Sequence, residues 1–120
     1  MTRINVGVKP SELSRQHLIA EHREIKRIPN VVANGTAKLC NIPDNFRLGQ
    51  GHVKFFYNKL GYLLRRYKKI HQECIERGYN VQNYESAWDG VSPELMGEYT
   101  PTEHDRKIVI QRINERGGLL

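Results

Sequence analysis

Between Val53 and Cys74 the apolar residues recur at intervals of three or four: Val53, Phe56, Leu60, Leu63, Tyr67, Ile70 and Cys74. Such steps keep side chains on one stripe of a 3.6-residue helix, so the run reads as a long amphipathic helix with one buried face. Gly78 follows at the C′ position, where a left-handed glycine closes a helix end. A coiled coil would use the same stripe but sustain it over more heptads; a run this short reads as core packing instead. Elsewhere the alternating pattern of strands is too weak to build a sheet. The expected fold class is all-α.

Two further helices complete the expected layout. Ser11 reads as an N-cap with Glu12 in the first turn, and Pro29 stops that helix near Ile28. Its apolar stripe is Leu18, Ile25 and Ile28. The last helix opens at Thr100-Pro101-Thr102-Glu103, a capping box with proline at N1, and stops at Gly117-Gly118. Residues 30–51 are rich in turn signals, among them Asn34-Gly35, Ile42-Pro43-Asp44 and Gly49-Gln50-Gly51. Residues 79–99 form a polar connection holding Tyr79, Tyr84, Trp88 and Tyr99, with Trp88 expected in the core. At 120 residues without an internal repeat, the chain is expected to be one domain spanning 1–120.

Lys and Arg number 19 against 13 Asp and Glu, a net charge of +6. A basic surplus on a small chain points to nucleic acid or another anionic surface. The outer side of the second helix carries Lys54, Lys59, Arg65, Arg66, Lys68, Lys69 and Arg77 against only Glu73 and Glu76. A stripe of this kind neutralises backbone phosphates whatever the sequence; the alternative is a solvated face. Tyr62 and the later tyrosines either stack on bases or pack half-buried. No apolar run approaches the ~20 residues that span a bilayer, and no signal-peptide pattern appears, so the expected location is the cytoplasm. Cys40 and Cys74 lack C-x-x-C spacing and read as two buried thiols in a reducing compartment. The histidines show no zinc spacing and the cysteines are too few for an iron–sulfur cluster. Neither a metal nor a small-molecule cofactor is expected.

The first helix carries the chemistry. Gln16, His17, Ala20, Arg23, Glu24 and Arg27 share an arc of about 120°. Two arginines around one carboxylate suit a site that grips an anion and needs an acid/base group in its midst. At the start, Thr2 and Arg3 follow Met1. A small second residue is the usual condition for removing the initiator methionine, which would leave a free α-amine on Thr2.

The stretches Thr2-Arg3-Ile4-Asn5, Ser11-Glu12-Leu13, Gln16-His17-Leu18, Ala20-Glu21 and Arg23-Glu24 resemble the start of the phage pyrimidine-dimer DNA glycosylases. The likeness continues through Val32-Ala33-Asn34-Gly35, Leu48-Gly49, Gly51-His52-Val53, Phe55-Phe56-Tyr57 and Lys59-Leu60. It reaches Glu73-Cys74 and Arg77-Gly78, then thins to Gly97, Tyr99 and Pro101. The resemblance implies three helices with the N-terminal segment threaded between the first two. It also implies a bifunctional enzyme that cleaves the glycosidic bond at a cyclobutane pyrimidine dimer in duplex DNA and then nicks the abasic strand. On this resemblance the nucleophilic α-amine falls on Thr2 and the catalytic glutamate on Glu24. The DNA-clamping arginines fall on Arg3, Arg23 and Arg27, and the helix histidine on His17. The basic second helix would add Lys54, Arg65 and Arg66 as DNA contacts, and the protein would act as a monomer, in the host cytoplasm if phage-encoded.

Two departures stand out. The loop between the first two helices is a few residues shorter than in the family. Family members also carry an aromatic, basic C-terminal segment, whereas this sequence ends in Gly117-Gly118-Leu119-Leu120. Tyr79, Tyr84 or Trp88 would have to replace those aromatics. Two alternatives therefore stay open beside the dimer glycosylase: a glycosylase or abasic-site lyase for another lesion, and a non-catalytic basic DNA-binding module.

Overall fold

The computed structural model describes residues 2–116. Among these residues it has five α-helices and no strand: α1 (Arg15–Glu24), α2 (Arg27–Ala33), α3 (His52–Phe55), α4 (Leu60–Glu76) and α5 (Glu103–Asn114). Single 3-10 turns stand at Pro10–Glu12, Phe56–Asn58, Glu85–Trp88 and Pro93–Leu95. The all-α class holds, and the differences from the expected layout are at the helix boundaries.

The apolar stripe does its predicted work along α4, where Leu60, Leu63, Tyr67, Ile70 and Cys74 are buried. Each such side chain contributes about 1.5–3 kcal/mol by leaving water. The helix closes at Gly78 (φ +81°), with Tyr79 N–H donating to the Cys74 carbonyl at 2.9 Å. The stripe continues upstream through buried Phe55 and Phe56, but the helix does not, because the chain breaks at Lys59. The segment after Pro93–Leu95 crosses this break. The Gly97 carbonyl accepts the Tyr62 amide at 3.0 Å and so satisfies a donor at the start of α4. A Cβ at Gly97 would collide with the Asn58 carbonyl oxygen, and one at Gly61 would come within 2.6 Å of the Met96 oxygen.

The first expected helix is shorter than its periodicity implied. It starts after Ser14 rather than Ser11, because Arg77 takes the Pro10 and Ser11 carbonyls at 3.2 and 3.4 Å and Leu13 is extended. It ends at Glu24, and a turn at Ile25 and Lys26 leads into α2. Pro29 does not stop a helix there. It lies in the first turn of α2, where a missing amide donor costs nothing. Leu18, Ile25 and Ile28 are buried as the stripe requires. The cap of α5 also lies two residues later than expected. Thr102 Oγ1 accepts the Asp105 amide and Asp105 Oδ2 accepts the Thr102 amide, both at 3.0 Å. The expected stop at Gly117-Gly118 lies outside the described residues.

Trp88 is in the core, donating from Nε1 to the Leu60 carbonyl at 3.0 Å. Tyr62 is buried too, so its ring packs rather than offering a stacking face. Cys74 is buried but Cys40 is exposed in the loop between α2 and α3, which corrects the reading of two buried thiols. No helix is long and apolar enough to cross a membrane among the described residues.

Candidate active site

The N-terminal segment runs irregularly through the interior, with a turn in which the Val8 amide donates to the Asn5 carbonyl at 3.2 Å and Gly7 takes φ +81°; Ile4, Val6 and Val8 are buried at 0–1% exposure. Outside that turn, buried backbone with no strand beside it must find its partners elsewhere. Here side chains supply them. Arg3 N–H donates to Glu24 Oε1 at 3.3 Å and Ile4 N–H to His52 Nε2 at 2.9 Å. Asn5 donates to Glu21 Oε1 at 2.8 Å and accepts from Arg112 at 2.9 Å. The Gly7 carbonyl accepts from Arg106 at 2.9 Å, and the Val8 carbonyl from Arg66 at 3.0 Å. Thus α1, α3, α4 and α5 all grip the segment. Each bond is worth about 0.5–1.5 kcal/mol net, but their larger effect is positional. Thr2 is one residue from an amide bonded to Glu24, so its α-nitrogen stands roughly 3 Å along the chain from that amide.

Beside this point opens a small cleft of about 80 Å³, lined by Arg3, His17, Glu24, Arg112 and Arg116, with Asn5 and Glu21 at its base. α1 brings His17, Glu21 and Glu24 to one wall, and α5 brings Arg112 to the other. Glu21 is committed to Arg66, so Glu24 stands among an excess of cations. Its carboxylate also meets Arg23, whose Nη2 lies 3.5 Å from Oε2. Burial, then Arg112 and Arg3, holds the His17 pKa below its ordinary value, so the ring is a neutral imidazole near pH 7. Burial and neighbouring Arg3 also lower the pKa of Arg112, yet a guanidinium keeps its charge in any protein. With Glu21 neutralised by Arg66, clustered arginines around Glu24 make an anion receptor with an acid/base group inside it.

The structure brings Arg3, His17 and Glu24 together at this cleft, and Thr2 precedes the Arg3 amide that Glu24 accepts. Arg23 is exposed at its flank. Arg27 is exposed as well and opens α2, just past the turn at Ile25 and Lys26. Lys54 stands apart, beside Arg47 and Tyr57. The expected basic stripe of the second helix is broken by acidic partners. Arg65 pairs with Glu98 at 2.5 Å, Lys68 with Glu85 at 3.3 Å and Arg77 with Glu73 at 2.7 Å. Lys59 Nζ lies 4.0 Å from the centre of the Phe55 ring.

Arg66 lies on the buried face of α4 and not on its outer side. It is 8% exposed, holds Glu21 with bonds of 2.5 and 2.9 Å, and faces the interior instead of solvent. Its burial was legible in its spacing: Tyr62, Arg66 and Ile70 are four apart and share the buried face. The charge, taken alone, pointed the other way. Sequence reasoning also passed over Arg112 and Arg116, whose only signal is that Arg112 sits between buried Val109 and Ile113 at the edge of the α5 stripe. His52 lies in the Gly51-His52-Val53 stretch that the resemblance covers, yet nothing in the sequence gave it a role.

The profile of the pyrimidine dimer DNA glycosylase family matches residues 1–84. That is 84 of 120 residues, and it takes in the clasped N-terminal segment, the Glu24 wall of the cleft and all of α4. Helix α5, with Arg112, lies beyond the match. The chain belongs to the pyrimidine dimer DNA glycosylase family.

Proposed function

We propose that this chain is both a glycosylase for pyrimidine dimers and an abasic-site lyase, with the α-amine of Thr2 as nucleophile and Glu24 as the acid/base group. The observation that carries the reading is the Arg3–Glu24 contact, which anchors the chain one residue after Thr2 to the cleft carboxylate that Arg66 does not hold. Met1 itself lies outside the described residues; the reading requires its removal.

An α-amine has an ordinary pKa of about 7.7–8.0, so a sizeable neutral fraction exists near neutrality. Arg3 and the other cleft cations disfavour the ammonium form further, while Glu24 opposes them. The neutral amine attacks C1′ of the 5′ nucleotide of the dimer and its glycosidic C–N bond breaks; the base leaves its sugar but stays joined to its neighbour through the cyclobutane ring. The sugar ring opens and the amine nitrogen becomes an iminium at C1′. That cation acidifies the C2′ proton. Its removal drives β-elimination, the 3′ phosphate leaves, and water then hydrolyses the imine to free the amine. Glu24 stabilises the cationic sugar and moves the protons. Arg3, Arg23, Arg27, Arg112 and Arg116 hold phosphates of a locally opened duplex, and His17 contributes as a neutral hydrogen-bonding group. Lys54 and Arg65 add at most peripheral charge.

Duplexes carrying a dimer, an abasic site or no lesion test this reading. Strand cleavage at the first two and not the third is expected. Cleavage at the abasic site alone would leave a lyase of other lesion preference, and cleavage of none would leave a DNA-binding module.

A further inference from the structure

Both ring nitrogens of buried His52 are engaged. Nε2 accepts the Ile4 amide at 2.9 Å, and Nδ1 lies 2.8 Å from the Arg47 carbonyl oxygen. An amide N–H only donates and a carbonyl oxygen only accepts, so the ring must carry its proton on Nδ1 and keep a lone pair on Nε2. The ring is fixed as well as bonded. Phe46 and Phe56 pack edge-on against it with centroids 5.4 and 5.5 Å away, and its residue is 3% exposed.

We infer that His52 is a positioning residue for the N-terminal nucleophile: as the neutral Nδ1–H tautomer it ties Ile4 to α3 and thereby sets where the α-amine of Thr2 stands against Glu24. This rests on the reading of Thr2 as nucleophile. Other grips on the segment do not replace it. The Arg3–Glu24 bond is longer, at 3.3 Å, and involves the carboxylate that must exchange protons during turnover. The bonds at Asn5, Gly7 and Val8 lie further along the chain from the amine.

A second proton on His52 would go to Nε2 and point at the Ile4 N–H, setting donor against donor. Arg3 of the N-terminal segment and Arg112 of α5 oppose that proton, whereas Glu21 of α1 and the Arg47 carbonyl favour it. Burial is the largest influence and holds the pKa below its ordinary value, which keeps the clasp closed near neutrality. In acid the clasp opens, and the amine loses its place in addition to its lone pair.

The test compares wild type, His52→Ala and His52→Gln on an abasic duplex in single turnover, with binding read on a duplex carrying a non-cleavable tetrahydrofuran abasic analogue. Gln can still present an acceptor to Ile4 but does not titrate. His52→Ala is expected to bind the analogue within about threefold of wild type while nicking and borohydride trapping fall on the order of 10²-fold, the usual result of a ~1 Å misplacement. His52→Gln is expected to recover most of that loss. Below the His52 pKa the wild-type log rate is expected to fall with pH at a slope near two, one unit from the amine and one from the imidazole. His52→Gln is expected to keep a slope near one. A His52→Ala rate equal to wild type, or the same acid slope in wild type and His52→Gln, would overturn the inference. Should His52→Ala not fold, the His52→Gln acid slope decides alone. If wild-type chain neither nicks nor traps, the lyase reading falls and amide exchange decides the hold itself. Exchange at Arg3 and Ile4, taken relative to the intrinsic rate at each pH, is then expected to rise as pH is lowered through the wild-type His52 titration and to stay flat in His52→Gln; equal behaviour of the two overturns the inference.

Discussion

Replacing Arg66 by Met should destabilise the fold and leave the DNA interface alone. Methionine keeps the apolar stem that packs against α4's neighbours but removes the guanidinium. Glu21, whose side chain is fully buried, would retain only the Asn5 amide as partner, and the Val8 carbonyl would lose its donor. Breaking a buried ion pair from one side typically costs 3–5 kcal/mol, because a charge is left in low dielectric. For a chain of this length each kcal/mol is worth about 4 °C in Tm, so the expected loss is about 12–20 °C. Adding Glu21→Gln should restore part of it, since the stranded charge disappears. Thermal unfolding followed by circular dichroism reads the loss, and the salt dependence of duplex binding reads the interface. An Arg66→Met variant with unchanged Tm and a shallower salt slope would refute the argument and put the guanidinium on phosphate instead.

Other expectations follow from the site and the core. Glu24→Gln should leave lesion binding intact or tighter, because a carboxylate facing phosphates is lost, while base release falls by at least the 10²–10⁴-fold of general acid/base catalysis; near-normal turnover would remove Glu24 from its role. Arg112→Ala should reduce the slope of log affinity against log salt by about one, whereas Arg65→Ala, already paired with Glu98, should barely change it. His22 is held down to a pKa of about 4, first by burial and then by His71 and Lys26. A folded-state pKa below the unfolded value means its stabilisation is complete above pH 6.5 and is lost as pH falls toward 4. Between pH 7 and pH 5 this removes about 2 kcal/mol, which His22→Phe should largely abolish in Tm measured at the two pH values.

The helical class and the core were legible because they depend on periodicity. Leu60, Leu63, Tyr67, Ile70 and Cys74 are buried where the three-and-four spacing puts them, and Gly78 closes the helix through its left-handed backbone. Boundaries set by distant chain were not legible. The break at Lys59 is made by Gly97, and the late start of α1 by Arg77, and neither partner is near in sequence. The same division runs through the site. His17, Arg23, Glu24 and Arg27 share a helical spacing that points to an anion site, and Arg3 came with the family resemblance, while Arg112 reaches the cleft only because α5 folds over the N-terminal segment. Charge was the least reliable guide. It placed Arg66 on the surface, when the four-residue spacing from Tyr62 and to Ile70 already argued for the interior.

The central claim is that the amine of Thr2 performs the chemistry, and reductive trapping tests it most directly. Borohydride added during reaction with an abasic duplex converts an imine to a stable secondary amine, leaving protein covalently bound to DNA. Mass spectrometry of the digested adduct should find Met1 removed and the sugar remnant on the peptide that begins at Thr2. A form with methionine or a tag retained moves the amine by more than 3 Å along the extended segment, so it should bind DNA but neither nick nor trap. An adduct mapped to a lysine such as Lys9 or Lys26, or equal trapping by the tagged form, would contradict the account.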